Sequence, residues 1–348
     1  MRVAWILVFL VVLLASASAD ERRWREVRSF ACQLQNLKLE EVKNAPFDLL
    51  VCDYSFHGDH KSELTPQQVA SLQKKPDGQR RYVIAYLSIG EAEDYRFYWK
   101  GDFQSGSPRW LGQTNPQWPG NYAVNYWEPG WKKVVLEYLD RIIDAGFDGV
   151  FLDKVDAYEL HPDRQGAKSE MSQLVQDIAH HARERAGSDF GVFPQNAEDL
   201  LVEVGYLDTI TGVGREETYY GYPLDFQPSP KEWTSGLEAR LRPLVKAGKL
   251  VLCIDYAAPG QQAETSIKRA KANGFLEYVA DRPLAKLQVT VNAGAEVATT
   301  VSPTPRPTGL PPREQTSQPP SAMAPWVRWP LALLGALALL WLWSRKRG

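Results

Sequence analysis

The chain has 348 residues, 44% hydrophobic and 24% charged, the balance of a globular protein, which excludes a disordered, fibrous or polytopic chain. Forty basic against 42 acidic residues leave a formal net charge of −2, so the total gives no sign of a nucleic-acid partner, and none is expected. Between residues 20 and 300 the balance shifts to 33 basic against 41 acidic, a surplus that disfavours polyanions and suits a cationic ligand.

In chain order, the first segment is Met1 to Ala19. Arg2, an apolar run from Ala4 to Ala15 and the small residues Ala17-Ser18-Ala19 make the three-part pattern of a cleaved secretory signal peptide. The apolar run is too short to span a hydrocarbon core about 30 Å thick. The mature chain is therefore expected to begin at Asp20, outside the cytoplasm.

Within a domain expected over residues 20–290, short β-rich runs alternate between residues 29 and 285 with longer segments of helical period, the rhythm of parallel strands joined by helical crossovers. Eight runs begin at Phe30, Phe47, Arg81, Asn121, Phe147, Phe190, Leu207 and Leu250, and a ninth, FLEYVAD, begins at Phe275. Nine is one too many for an eight-stranded closure, so one run is an appendage or the first is misread. Among the crossovers, Thr65-Pro66 supplies a cap and a first-turn proline. Trp131 to Ala145 places Val134, Val135, Tyr138, Ile142 and Ile143 on one stripe before Gly146. The length and the absence of a Gly-rich phosphate turn favour an α/β fold of the (β/α)8 TIM-barrel type, a single catalytic domain, over a doubly wound sheet.

Tyr95 to Trp127 is rich in Trp, Tyr, Gly, Pro and Asn, and reads as a long structured loop carrying aromatic faces over the barrel mouth. Sugar rings stack on such faces, although Trp99 and Trp131 are as well explained by packing against other aromatics. Cys32, Cys52 and Cys253 lie inside apolar runs and read as buried thiols, with a Cys32 to Cys52 bridge as the minor alternative. No CxxC, HxH or HExxH occurs, and His57, Asp59 and His60 suit a solvated turn, so no metal and no cofactor is expected.

Residues 291–325 form a Pro/Thr/Ser-rich linker, with eight prolines in 301–325, a stalk too polar and too extended to bury a core. The tail, 326–348, carries 13 apolar residues from Leu331 to Trp343 followed by Arg345, Lys346 and Arg347. That reads as a transmembrane anchor, with Trp326 to Pro330 included to approach the ~20 residues a span needs, or as a processed sorting signal. A monomer held at the extracytoplasmic face of the cell envelope is the expected arrangement.

In a parallel barrel the C-terminal strand ends share one mouth, so acids placed there converge from distant parts of the chain. Asp53, Glu91, Glu93, Asp153, Asp156, Glu198, Glu216, Glu217 and Asp255 all fall at or just beyond strand ends. Alternation puts Gly149, Phe151 and Asp153 on one strand face, with Asp153 at the mouth. Paired carboxyls without metal ligands or a Ser/His set suit glycoside hydrolysis. A lone strand-end Asp is more often a cap or an ion-pair partner, and Lys154 and Arg215 could serve as such partners.

The motifs CQLQ at Cys32, DLLVCDYS at Asp48, VIAYLSIGEAE at Val83, NYWEPGW at Asn125, GFDGVFLDKVD at Gly146, QNAE at Gln195, GVGREETYYG at Gly212 and VLCIDYA at Val251 jointly resemble glycoside hydrolase family 114, named for endo-α-1,4-polygalactosaminidase. The resemblance runs from about Phe30 to Pro283. It implies an enzyme that cuts α-1,4-linked galactosamine polymers internally, with retention of configuration. The catalytic acids then match Asp153 and Glu216, with Asp156 and Glu217 as the neighbouring alternatives; one acid is the nucleophile and the other the acid/base, and of the two orders Asp153 as nucleophile with Glu216 as acid/base is the one adopted, the sequence itself leaving both open. Asp53, Tyr54, Glu91, Asn196, Tyr220 and Asp255 are placed around them as substrate-binding residues. Two other readings compete: a glycosidase acting on another α-linked exopolysaccharide, and a non-catalytic carbohydrate-binding surface protein on the same barrel.

Overall fold

The computed structural model describes residues 24–292. The segments expected to be a signal peptide, a linker beyond residue 292 and a C-terminal anchor lie outside the described residues; among the described residues no helix is long and apolar enough to cross a membrane. Three strands come first, β1 (Phe30–Gln33), β2 (Leu49–Cys52) and β3 (Tyr82–Ser88). Three short ones follow, β4 (Glu91–Glu93), β5 (Leu111–Thr114) and β6 (Asn121–Val124). The series then resumes with β7 (Gly149–Asp153), β8 (Gly191–Pro194), β9 (Gly212–Glu216), β10 (Leu250–Asp255) and β11 (Leu276–Val279).

Parallel ladders join β1, β2, β3, β7 and β8 in that order, and β9, β10 and β11 in a second set. The two sets meet where Gln195 bridges to Gly214 and the Thr211 amide donates to the Val192 carbonyl at 2.8 Å. At the other seam the Phe30 ring lies 5.8 Å from that of Tyr278, and the Leu34 amide donates to Leu284 at 2.9 Å. Eight parallel strands thus enclose a TIM-type barrel. The surplus strand is the one at Asn121: β6 pairs antiparallel with β4 and β5 as a small separate sheet, and the run at Phe275 supplies the eighth barrel strand.

The crossover helices are α1 (Leu39–Lys43), α2 (Pro66–Leu72), α3 (Pro129–Asp144), α4 (Ala167–Ala186), α5 (Tyr206–Thr209), α6 (Lys231–Lys246) and α7 (Gln261–Asn273), with a final turn α8 (Val289–Asn292). Thr65 caps α2 in a reciprocal box with Gln68, two otherwise orphaned amides being satisfied at once. Helix α3 begins two residues earlier than its apolar stripe suggested and buries Trp131, Val135, Tyr138, Leu139 and Ile142.

The N-terminal end of the barrel is plugged by Trp24, whose ring sits 4.8 Å from Tyr82 and 5.3 Å from Phe193. A Cβ on Gly191 would stand 2.5 Å from that indole, so the plug requires glycine at this strand start. The three cysteines are free and buried in β1, β2 and β10. Closed below by the indole, the barrel leaves the C-terminal mouth as the place for a site.

Candidate active site

Along β7 and β9 the alternation works as a positioning device. Phe151 fills the barrel interior where a Cβ on Gly214 would come within 2.3 Å of its ring, so Gly149, Phe151 and Asp153 share the inner face with Gly212, Gly214 and Glu216. Asp153 and Glu216 therefore rise on the inner face at the mouth, with β8 between their strands. Each accepts a hydrogen bond from one tyrosine: Tyr86 Oη donates to Asp153 Oδ2 at 2.7 Å, and Tyr256 Oη donates to Glu216 Oε1.

Burial pushes the Asp153 carboxyl up to about 7; the charges of Glu216 and Asp156 add to the rise, while Lys154 and the Tyr86 hydroxyl oppose it. Beneath the pair, burial raises the Cys32 thiol, and both Glu216 and Asp153 add to that rise. The two carboxyls thus act on one another and on a common floor.

The next acid in each case faces a different task. Glu217, at φ +58°, turns away from its neighbour and accepts from Arg282 Nη1 at 2.7 Å. Burial lifts its carboxyl to about 7, Glu216 adding to the rise and Arg282 opposing it. Asp156, on the helical turn Val155–Leu160, is raised chiefly by burial, with Glu216 adding and Lys154 and Arg215 opposing, so it belongs to the same mouth.

The residues expected around the acids divide into two groups. Asn196, at φ +59°, accepts through Oδ1 from Arg215 Nη1 at 2.9 Å and from the Glu216 amide at 3.3 Å, and Tyr220 accepts on its carbonyl from the Tyr256 amide at 3.3 Å. Both brace the segment that carries Glu216. Asp53, Tyr54, Glu91 and Asp255 are held by partners of the protein itself; by strand register Asp53, next after Cys52, shares the inner face with Tyr86, whereas Asp255 falls on the outer face. Asp53 is gripped by Arg96 at 2.8 and 3.0 Å, and its carboxyl is raised by burial although Arg96 opposes the rise. The Tyr54 ring is buried 4.7 Å from Tyr138 and 5.5 Å from the same guanidinium. Glu91 binds Lys154 at 3.1 Å, Asn115 at 2.9 Å and Asn121 at 3.1 Å. Asp255 lies on the outer face of β10 with the amides of Tyr219 and Tyr220 and the hydroxyl of Ser266.

Four residues of this arrangement escaped sequence reasoning: Tyr86, Tyr256, Arg96 and Arg282. For the tyrosines a signal existed, since Tyr86 lies two residues before Ser88, the partner of Asp153 in the ladder, and Tyr256 alternates with Asp255. The arginines gave none, because each reaches the site from a loop. The aromatics of the 95–127 segment mostly pack on one another: Trp110 on Trp131 at 4.9 Å, Trp99 on Tyr122 at 4.6 Å, and Trp127 beneath Arg164 at 3.8 Å. Tyr95 and Trp118 are the exposed ones, at 40% and 47%.

The electrostatics of the mouth are one-sided. Lys154 is paired with Glu91, Arg215 with Glu198, and Arg282 with Glu217 and Asp225. Among the described residues, no lysine or arginine is in ion-pair contact with Asp153, Glu216, Asp156 or Glu159, the last on the same helical turn as Asp156 and raised by burial with Asp156 adding to it. Two carboxyls on the same inner rim can supply the pair that hydrolysis of an acetal needs, one as proton donor to the leaving oxygen and one as carboxylate at the acetal carbon.

Two curated relatives cover most of the barrel: an uncharacterized protein of Deinococcus radiodurans, 40% identical over 250 residues (72% of this chain, 78% of the relative), and the uncharacterized protein MJ1477 of Methanocaldococcus jannaschii, 37% identical over 275 residues (74% and 77%). Among solved structures, the glycoside hydrolase domain of PelA from Pseudomonas aeruginosa superimposes with a TM-score of 0.56 at 18% identity, covering 75% of this chain and 97% of that one. Ega3 of Aspergillus fumigatus, solved in complex with galactosamine, gives 0.55 at 20%, covering 75% and 94%. At those identities the likeness speaks for the barrel fold. The family model described as glycoside-hydrolase family GH114 matches residues 14–296, and the chain, a glycoside hydrolase, belongs to that family.

Proposed function

We propose that this enzyme cuts α-1,4-linked galactosamine-type polysaccharide internally and with retention, Asp153 attacking the anomeric carbon while Glu216 protonates the leaving oxygen and then activates the water that releases the product. The observation that carries the reading is the pair Asp153 and Glu216, each with its own tyrosine donor, at a mouth whose cations Lys154, Arg215 and Arg282 are already paired with other carboxylates. A de-acetylated galactosamine polymer is a string of ammonium groups, and such a mouth attracts it. The galactosamine held by Ega3, a protein of the same fold, supports this choice of sugar. The signal segment, Pro-rich linker and apolar tail would present the barrel, as a monomer, at the outer face of the envelope, where such polymers are met.

The test is digestion of de-acetylated and acetylated polymer by a soluble form spanning residues 20–294, with products read by mass spectrometry. De-acetylated polymer is expected to be cut faster, into oligomers of mixed length. Asp153→Asn and Glu216→Gln each lower turnover on the order of 1,000-fold, with an unchanged circular-dichroism spectrum. Equal or reversed preference between the two polymers would sink the ammonium reading, and near-full turnover in either variant would remove that residue from the pair.

A further inference from the structure

Neighbouring residues at the end of β10 point to opposite sides of the barrel wall. Tyr256 reaches into the mouth and bonds Glu216; Asp255, wholly buried, turns outward beneath α7. Asp255 Oδ1 accepts the Tyr219 amide at 3.0 Å and the Tyr220 amide at 3.2 Å, and its Oδ2 lies 2.8 Å from Ser266 Oγ. That same hydroxyl lies 2.9 Å from Oε1 of Glu277, on the adjoining strand β11.

A hydroxyl carries one proton, so it can join two carboxyl groups only if one of them carries a proton of its own. Asp255 already accepts two amide protons, which favours its ionised form and leaves Glu277 as the neutral acid. The second oxygen of Glu277 agrees with this, since Oε2 is buried without a hydrogen-bond partner. A neutral acid tolerates that state at modest cost, whereas a carboxylate there would be an unpaired buried charge.

No lysine or arginine is in contact with either carboxyl among the described residues. The titratable groups facing Glu277 are Asp255 and the Cys253 thiol on β10 and the Tyr219 phenol; farther out, on α6, lies Glu238, occupied by Arg242 and Arg269. Burial, with Asp255 adding to it, holds the Glu277 carboxyl well above the ordinary range.

What the chain of bonds holds is the turn just beyond Glu216. Tyr219 and Tyr220 are fixed by their amides to Asp255, and the Tyr220 carbonyl accepts the Tyr256 amide at 3.3 Å. We propose that Glu277 is a positioning residue for Glu216: as a neutral acid it donates to Ser266, Ser266 donates to Asp255, and Asp255 holds the turn on which the Tyr256 to Glu216 bond depends. The inference rests on Glu216 as a reacting carboxyl and is independent of which sugar is cut.

The test compares Glu277→Gln, whose amide can donate as the acid does, with Glu277→Leu, which cannot, in the full chain. Glu277→Leu is expected to lose roughly 10- to 100-fold in kcat with KM little changed, since the substrate contacts remain while Glu216 is misplaced. Glu277→Gln restores most of that loss. Two readouts need no substrate: hydrogen exchange at the Tyr219 and Tyr220 amides accelerates in the Leu variant and not in the Gln variant, and the infrared carbonyl band of a protonated carboxyl at pH 8 is present in the wild type and missing from Glu277→Gln. If the galactosamine polymer proves the wrong substrate, only the kinetic arm falls silent, and the exchange and infrared arms still decide. A Gln variant as impaired as the Leu variant, unchanged exchange in both, or a wild-type spectrum lacking the band would each overturn the proposal.

Discussion

Asp153 and Glu216 differ in setting although both end inward-facing strands. Asp153 carries its proton to about 7, because burial and the neighbouring charges of Glu216 and Asp156 outweigh the help of Lys154 and of the Tyr86 hydroxyl. A nucleophile must be ionised to attack, so with Asp153 in that role kcat/KM of the free enzyme rises with pH and reaches half its plateau near the pKa of this group. Tyr86→Phe removes a donor that favours the ionised form, and the rising limb should then move to higher pH while the plateau falls modestly. A limb that falls through the same region instead would exchange the roles of the two acids, with Asp153 as the proton donor. Alternation along FLDKVD was enough to place Asp153 at the mouth, since one strand decides it. The tyrosines could not be read in the same way. Their hydroxyls cross from β3 to β7 and from β10 to β9, and which residues meet across a barrel depends on register, which no single run encodes.

The segment after β9 shows how an element is held in place by a residue far from it in sequence. Arg282 follows the last barrel strand and binds Glu217 Oε1 at 2.7 Å, Asp225 Oδ1 at 2.5 Å and the Gly221 carbonyl at 3.0 Å, with its guanidinium 4.1 Å from the centre of the Tyr256 ring. One side chain therefore latches residues 217–225 and backs the tyrosine that serves Glu216. Arg282→Ala leaves Glu217 buried without its cation, and a loss of about 3 kcal/mol in unfolding free energy is expected from chemical denaturation. Adding Glu217→Gln removes the uncompensated charge and should recover a large part of that loss. If the double variant is as unstable as the single one, the cost lies in lost packing on Tyr256 and not in the ion pair. The strand rhythm from Phe30 to Leu250 was legible because most barrel strands are compact apolar runs, buried on both faces; the run at Leu207 begins in the helical turn α5 and only Gly212–Glu216 of it is strand. The run at Asn121 looked the same and is not a barrel strand. Its residues are largely half-buried and pair antiparallel with β4 and β5, a distinction that lies in partners and not in composition. Asp255 was misleading for a related reason. It ends a strand as Asp153 does, but falls on the opposite phase of the alternation and so serves the wall behind the site.

At the scale of the molecule, the barrel separates support from chemistry by its two ends. Trp24 seals the floor, and the mouth gathers carboxylates from strands spread across the chain and from the turn Val155–Leu160, four of which have no lysine or arginine in ion-pair contact among the described residues. The acid surplus of residues 20–300 was visible in composition, whereas its concentration at one opening follows from the parallel topology, which turns every strand end the same way. A surface with a surplus of one sign raises the local concentration of oppositely charged ligand and speeds encounter, and that gain is lost as salt screens it. The Debye length shrinks from about 30 Å at 0.01 M to about 10 Å at 0.1 M ionic strength, so steering of a cationic polymer is strong at the lower value and weak at the higher. Between those conditions kcat/KM on de-acetylated galactosamine polymer is expected to fall by roughly tenfold, mostly through KM, with kcat nearly constant. Acetylated polymer carries no ammonium groups and should show almost no salt dependence. Equal salt slopes on the two polymers would mean that the mouth recognises the sugar by shape and hydrogen bonding alone, and that the unpaired carboxylates serve the chemistry of Asp153 and Glu216 and not the capture of substrate.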